Sequence, residues 1–215
     1  MNQEKIEISK QALKRLPYYL NYLKALKSKE IKDISAPVIA KEMKLNEVQV
    51  RKDLAAVSLF GGRPKIGFNV EELIRVIESY LGYDNVMDAV LVGAGNLGKA
   101  LLSYQELRNY GMSIVAAFDS DEAVLGTEIN DTHVFSIDKL EDLCRRLKVH
   151  IGIITVPATA AQGVCDLLVE SGILAIWNFA PVHLNVPDHI LVQNENIAVS
   201  LAMLSKHLQS KLNQL

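Results

Sequence analysis

Residues 89–98, Ala-Val-Leu-Val-Gly-Ala-Gly-Asn-Leu-Gly, run an apolar strand into a Gly-x-Gly-x-x-Gly turn, and an apolar helical stretch comes next. Strand, three spaced glycines and helix together form the phosphate-binding corner of a doubly wound parallel sheet. In such a corner Gly93 makes the tight turn, Gly95 lets a pyrophosphate approach the backbone, and Gly98 lets helix and strand pack closely. The free N–H groups and positive dipole end of the helix face the phosphates. Ala94, Asn96 and Leu97 complete this candidate cofactor loop. The next strand, Ile114–Phe118, ends in Asp119, whose carboxylate can accept from an adenosine ribose and repel a 2′-phosphate. The expected cofactor is therefore NAD(H) rather than NADP(H). The plainer alternative is a tight glycine turn with Asp119 as an ordinary cap.

The same grammar continues. Apolar runs at 88–93, 113–118, 150–156 and 173–178 alternate with helical patterns at 96–110, 137–147 and 158–171, with further strands expected at 132–135 and 190–193. Alternation of this kind signals a parallel sheet with crossover helices. Thr155-Val156-Pro157-Ala158 and Asn178-Phe179-Ala180-Pro181 come after two of these strands, on the side where ligands sit in open sheets. Pro157 is expected to close over the dinucleotide, and Asn178 and Phe179 to reach its nicotinamide half; both segments also read as ordinary strand ends. A last helix begins near Ala198, with Leu201, Leu204, Leu208 and Leu212 on one stripe.

Before Val86 the pattern is helical. Leu13, Leu16, Leu20 and Leu23 mark a buried face between Ser9 and about Lys27, and Pro17 within it predicts a kink or a later start. Ser35 and Pro37 open a second helix, and Asn46 with Gln49 has the capping-box spacing of a third that runs to about Ser58. Residues 59–68 read as a glycine-punctuated basic hairpin or loop, and Asn69 with Glu72 opens a fourth helix to about Leu81. Three helices, a basic β-loop and a closing helix describe a winged helix-turn-helix, with Gly82–Asn85 as its boundary. The expected organisation is a winged helix-turn-helix over 1–82, a Rossmann α/β domain over 86–194, and a C-terminal helix over 196–215.

Charge supports two units. The 215 residues carry 23 Lys+Arg and 25 Asp+Glu, a net charge of -2. Residues 1–85 hold 15 of the basic and 11 of the acidic residues, a net +4, leaving −6 for the remainder. At 100° per residue, Val50, Leu54 and Val57 of the third helix face inward, while Gln49, Arg51 and Lys52 lie outward beside Ala55 and Ala56. Gln and Arg pair with base edges and Lys with phosphate, so this face is a candidate DNA reader. Arg63 and Lys65 extend it onto a wing that reaches the minor groove. A solvated helix face with a charged loop is the alternative.

Catalytic equipment is missing from the pattern. His133, His150, His183, His189 and His207 form no metal-spaced cluster or acid–base signature, and Cys144 and Cys165 fit neither a disulfide framework nor a zinc site. No catalytic and no metal-binding residue is expected. Nor is a membrane span, and the opening residues lack a signal-type apolar stretch, which predicts a cytoplasmic protein. A small NAD-dependent oxidoreductase with a basic assembly module, or a CoA-type nucleotide module, remain the competing classes.

Gln49-Val50-Arg51-Lys52-Asp53-Leu54, Gly93–Gly98, Phe118-Asp119, Val156-Pro157-Ala158 and Asn178–Pro181, in this order, resemble the Rex redox-sensing transcriptional repressors. The resemblance implies a homodimer on palindromic double-stranded operator DNA, released when NADH binds, with the C-terminal helix swapped into the partner. It carries over Gln49, Arg51, Lys52, Arg63 and Lys65 as DNA contacts. Gly93, Gly95, Asn96, Leu97, Gly98, Asp119, Val156, Pro157, Asn178 and Phe179 carry over as cofactor contacts, and Tyr104 as part of the redox switch. Where some members set an arginine on the first helix and an aspartate before the last, this sequence has Asn21 and Asn196, which cannot form a charged hydrogen bond. Gly62-Arg63-Pro64-Lys65 also departs from a Gly-Lys/Arg-Gly wing.

Overall fold

A computed structural model describes residues 8–58 and 66–213. The chain divides into two compact units, Met1–Asn85 and Val86–Leu215.

The first unit contains α1 (Lys10–Lys27), β1 (Asp33–Ile34), α2 (Ala36–Glu42), α3 (Glu47–Val57), β2 (Phe68–Asn69) and α4 (Val70–Leu81). The Ser9 side chain accepts from the Ala12 amide and fixes the start of α1. Pro17 neither delays nor ends the helix. Leu16, Tyr19, Leu20 and Leu23 are fully buried on its inner face, and each such side chain contributes roughly 1.5–3 kcal/mol, more in sum than the ~3 kcal/mol an internal proline costs. Leu13, expected on that face, is 42% exposed, and Tyr19 occupies the stripe instead.

Asn46 caps α3 by accepting from the Val48 and Gln49 amides. The reciprocal bond of a capping box does not form, because the Gln49 amide donates forward to Asp53 instead. Asn69 caps α4, which stops at Gly82 in the left-handed region (φ 75°). Residues 59–65 of the expected basic loop lie outside the described residues. After that loop, β2 pairs antiparallel with β1 through Ile34↔Phe68.

The second unit is built on β3 (Met87–Val92), α5 (Asn96–Leu102), β4 (Met112–Asp119), β5 (Glu128–Ile129), β6 (Thr132–Ser136), α6 (Leu140–Leu147), β7 (Ile151–Ile154), α7 (Ala158–Glu170), β8 (Ala175–Asn178), β9 (Leu191–Asn194) and α8 (Ile197–Leu212). The strand order is β5-β6-β4-β3-β7-β8-β9, parallel except at β5–β6. Both faces are covered. Val90, Val92, Phe118 and Ile154 pack with Cys144 of α6 and Cys165 of α7, while Ala89, Leu91, Ala117 and Ile153 pack with Leu102 of α5. This alternation is the period of two expected of strands buried on both sides.

The glycine-loop helix is shorter than the 96–110 its apolar spacing predicts. It ends at Leu102, and Gln105–Tyr110 form a 3-10 helix. The Asn130 side chain donates to the Leu102 carbonyl, an acceptor that continued α-helix would have used. Along α8 no residue is buried, and Leu201, Leu204, Leu208 and Leu212 are all more than half exposed. Among the described residues no helix is long and apolar enough to cross a membrane.

Candidate dinucleotide site and nucleic-acid interface

Strand order reverses between β3 and β7, which places the loops after Val92 and after Ile154 side by side. This is the switch-point crevice where open α/β sheets take ligands. Gly93 turns with φ 106° and donates its N–H to the Phe118 carbonyl at 2.8 Å. A Cβ there would meet the Thr155 backbone and Val156 at 2.9 Å. A Cβ on Gly98 would lie 1.9 Å from the Gly93 carbonyl oxygen, so this glycine lets α5 sit directly on the turn.

Gly95 is different. Its φ of −71° suits any residue, and an added Cβ would meet nothing within 4 Å. The fold does not require glycine here; a ligand pressed against the backbone would. The residues therefore fit a bound dinucleotide: an open backbone at Gly95, no side chain capping α5, and exposed Asn96 and Leu97 beside it.

Two side chains hold this loop in shape. The Ala94 N–H donates to Asp119 Oδ2 at 2.6 Å, and Asp119 Oδ1 accepts from the Ser120 and Asp121 amides. Across the crevice the Thr155 hydroxyl lies 2.7 Å from the Gly93 carbonyl and 3.1 Å from that of Val92. Sequence reasoning assigned Thr155 no role of its own; the signal was a hydroxyl at the strand end facing the glycine turn.

Val156 is partly buried, and Pro157 is exposed at the start of α7, which no side chain caps. Phe179 packs its ring against Trp177, centroids 4.7 Å apart. Asn178 departs from expectation. It is fully buried, its Nδ2 donates to the Ala180 and Val182 carbonyls and to Asn194 Oδ1, and its Oδ1 accepts from the Ala180 amide. With both ends satisfied inside the protein, the side chain shapes the loop that carries Phe179 and does not point at a ligand.

Tyr104 lies beyond the end of α5, not on it, and is 47% exposed. Its hydroxyl donates to Glu106 Oε2 at 3.2 Å, and that carboxylate raises the phenol's pKa. Asn196 accepts from the Ala198 and Val199 amides and caps α8. Burial pushes the Cys144 thiol up to about 11, and Cys165 also upward, so both are poor nucleophiles. Among the described residues no cluster of His, Cys, Asp and Glu is placed to hold a metal.

In the first unit α3 presents Gln49, Arg51 and Lys52 as exposed residues, with Val50, Leu54 and Val57 buried behind them. Arg51 pairs with Glu47, and Lys52 has no ion-pair partner among the described residues. Arg63 and Lys65 lie outside the described residues. Beneath this face Asp53 is 2% exposed and accepts from Arg15, Tyr19 and Gln49. Burial raises its pKa, but the hydrogen bonds from these three residues outweigh that and hold it below the usual carboxylate value. The same contact with Asp53 raises the pKa of Arg15. The sequence signal was a lone acid at the edge of an apolar helix face.

Residues 7–55 match the family described as "putative DNA-binding protein N-terminus" and residues 84–182 the one described as "CoA binding domain". The redox-sensing transcriptional repressor Rex of Treponema denticola is 41% identical over 93% of this chain and 95% of its own. That of Carboxydothermus hydrogenoformans is 43% identical, with the same two coverages, 93% and 95%. The chain belongs to the Rex family. The Rex-family repressor RSP in complex with β-NAD⁺ and operator DNA matches with a TM-score of 0.89, at 35% identity over 97% of this chain and 96% of RSP. RSP in complex with β-NADH matches with a TM-score of 0.85, at 36% identity over 96% and 97%. Rex repressors thus share both the helical first unit and the mostly parallel sheet of the second.

Proposed function

We propose that this Rex-family chain is a redox-sensing transcriptional repressor, binding palindromic operator DNA through its first unit and NAD(H) through its second. The observation that carries the reading is the open backbone at Gly95 in a loop fixed by Asp119 and Thr155, joined in one chain to the basic face of α3. Gly93, Ala94, Gly95, Asn96, Leu97 and Gly98 form the pyrophosphate cradle, and Val156 and Pro157 flank it. Phe179 lines the nicotinamide side, and Asn178 positions that loop. Arg51, Lys52, Arg63 and Lys65 meet phosphate or groove edges, and Gln49 meets a base.

The exposed apolar stripe of α8 supports a homodimer in which this helix packs on the partner, and two copies of α3 then meet two half-sites one helical turn apart. Tyr104, held by Glu106, is a candidate switch group that works without charged partners at Asn21 and Asn196. The protein acts in the cytoplasm, where the NADH/NAD⁺ ratio is set. Neither catalysis nor a metal is part of this reading.

Titration of a selected palindromic duplex, alone and with saturating NADH or NAD⁺, tests it. Release by NADH with a coupling of ~1–3 kcal/mol, several-fold to about a hundredfold in affinity, is expected. Equal affinities in all three titrations overturn it. Displacement of NADH by CoA at equal concentration would favour a CoA-type module, and displacement by NADPH a site for a 2′-phosphate; Asp119 opposes both by repelling a phosphate on the ribose.

A further inference from the structure

Asp53 is saturated. Oδ2 accepts from Arg15 Nε at 2.7 Å and from the Tyr19 hydroxyl at 2.8 Å, and Oδ1 accepts from Arg15 Nη2 and Gln49 Nε2, each at 2.9 Å. An ionised carboxylate only accepts and has about four lone-pair positions, so all are spent. Three of the donors come from α1 and fasten the carboxylate from behind. The fourth belongs to Gln49, an exposed residue on the outward face of α3.

A side-chain amide has a donating end and an accepting end, and a free glutamine offers them in either order. Against Asp53 only one order is allowed. The flipped amide would set Oε1 against a carboxylate oxygen at 2.9 Å, acceptor against acceptor. The nitrogen is therefore drawn inward, and Oε1 with the second N–H remains for another partner. We propose that Asp53, anchored by Arg15 and Tyr19, is a specificity-positioning residue that fixes which edge of the Gln49 amide faces a DNA base.

The inference rests on the reading that α3 enters DNA. It adds a consequence for sequence preference. A glutamine with one fixed acceptor beside one fixed donor matches the N6–H and N7 edge of adenine in the major groove. The wild-type protein then selects an A·T pair at one position of each half-site. An unanchored Gln49 relaxes that choice, because its flipped edge serves other bases.

Selection from a randomised duplex pool, with full-length wild type, Asp53→Asn, Gln49→Ala and the double variant, reads this directly. Asparagine at 53 can donate as well as accept, so it no longer dictates the amide's order. Asp53→Asn is expected to lower discrimination at one base pair per half-site by on the order of tenfold. In the Gln49→Ala background it is expected to leave the preference profile unchanged, since there is no amide to orient. A profile that does not move on Asp53→Asn, or that moves equally in both backgrounds, overturns the inference. A wild type that selects no sequence overturns instead the DNA-binding reading beneath it. Should Asp53→Asn not fold, the side-chain amide of Gln49 in the unmodified protein decides by NMR relaxation. Order close to that of the α3 backbone is expected, and free rotation refutes the positioning role.

Discussion

The Ala94 amide donates a 2.6 Å hydrogen bond to the carboxylate of Asp119, 25 residues away, so the acid that faces the crevice also holds the loop beneath a ligand. With the Ser120 and Asp121 amides on its other oxygen, three of about four acceptor positions are taken and one is left over.

Asp119→Ala removes a loop anchor and, on the proposed reading, a ribose acceptor with it. A hydrogen bond to a charged group is worth about 1.5–3 kcal/mol, so NADH affinity is expected to fall roughly tenfold to a hundredfold. Discrimination against NADPH falls with it, because the negative charge is gone. Calorimetric titration of both dinucleotides checks this; an unchanged NADH affinity would remove Asp119 from the site.

The glycines of the cradle divide by what they serve. At Gly98 an added Cβ runs into the Gly93 carbonyl at 1.9 Å, so Gly98→Ala is expected to destabilise the second unit by about 1–3 kcal/mol through overpacking. At Gly95 the space is open, so Gly95→Val should melt close to wild type yet fail to bind NADH. Such a repressor stays on DNA at high NADH. Thermal melts beside NADH titrations separate the two, and normal NADH binding by Gly95→Val would refute the cradle assignment.

Much of this was readable from residue order, and the exceptions share a cause. Alternating apolar runs, the glycine spacing and the caps at Asn46 and Asn69 depend on neighbours within a few positions, and they placed the elements and the crevice. What escaped depends on distant partners. The bond from Asn130 that ends α5 at Leu102 spans 28 residues, and the ion pair that buries Asp53 spans 38. Asn178 carried a signal that fits both a ligand contact and a loop anchor; only the four internal partners of its amide distinguish them.

Lys52 is exposed on α3 and has no ion-pair partner among the described residues, so its charge is free to neutralise a phosphate. Lys52→Ala is expected to weaken binding to all duplexes alike and to reduce the slope of log affinity against log salt by about 1. NADH affinity should not move. Salt titrations of a selected duplex and a scrambled one provide the check; loss confined to the selected duplex would make Lys52 a base reader instead.

The buried pair of Asp53 and Arg15 gives the first unit a pH dependence whose sign is fixed. Burial alone would raise the Asp53 pKa, but the bonds from Arg15, Tyr19 and Gln49 prevail, and the folded value lies below the unfolded one. The unfolded chain then takes up the proton more readily. The stabilisation is complete above the ordinary carboxylate value of about 4 and is lost as pH falls below it, through the depressed folded value. Asp53→Asn should therefore be less stable than wild type at neutral pH by about 2–3 kcal/mol. That is below the 3–5 kcal/mol of a fully buried pair, because the Arg15 side chain keeps 23% exposure and can find water. The deficit should shrink as pH drops from 4 toward 2, because the wild type loses what the variant never had. Hydrogen exchange of the α1 and α3 amides across that range reports the first unit alone, and a deficit that stays constant with pH would show that Asp53 contributes through shape and not through charge.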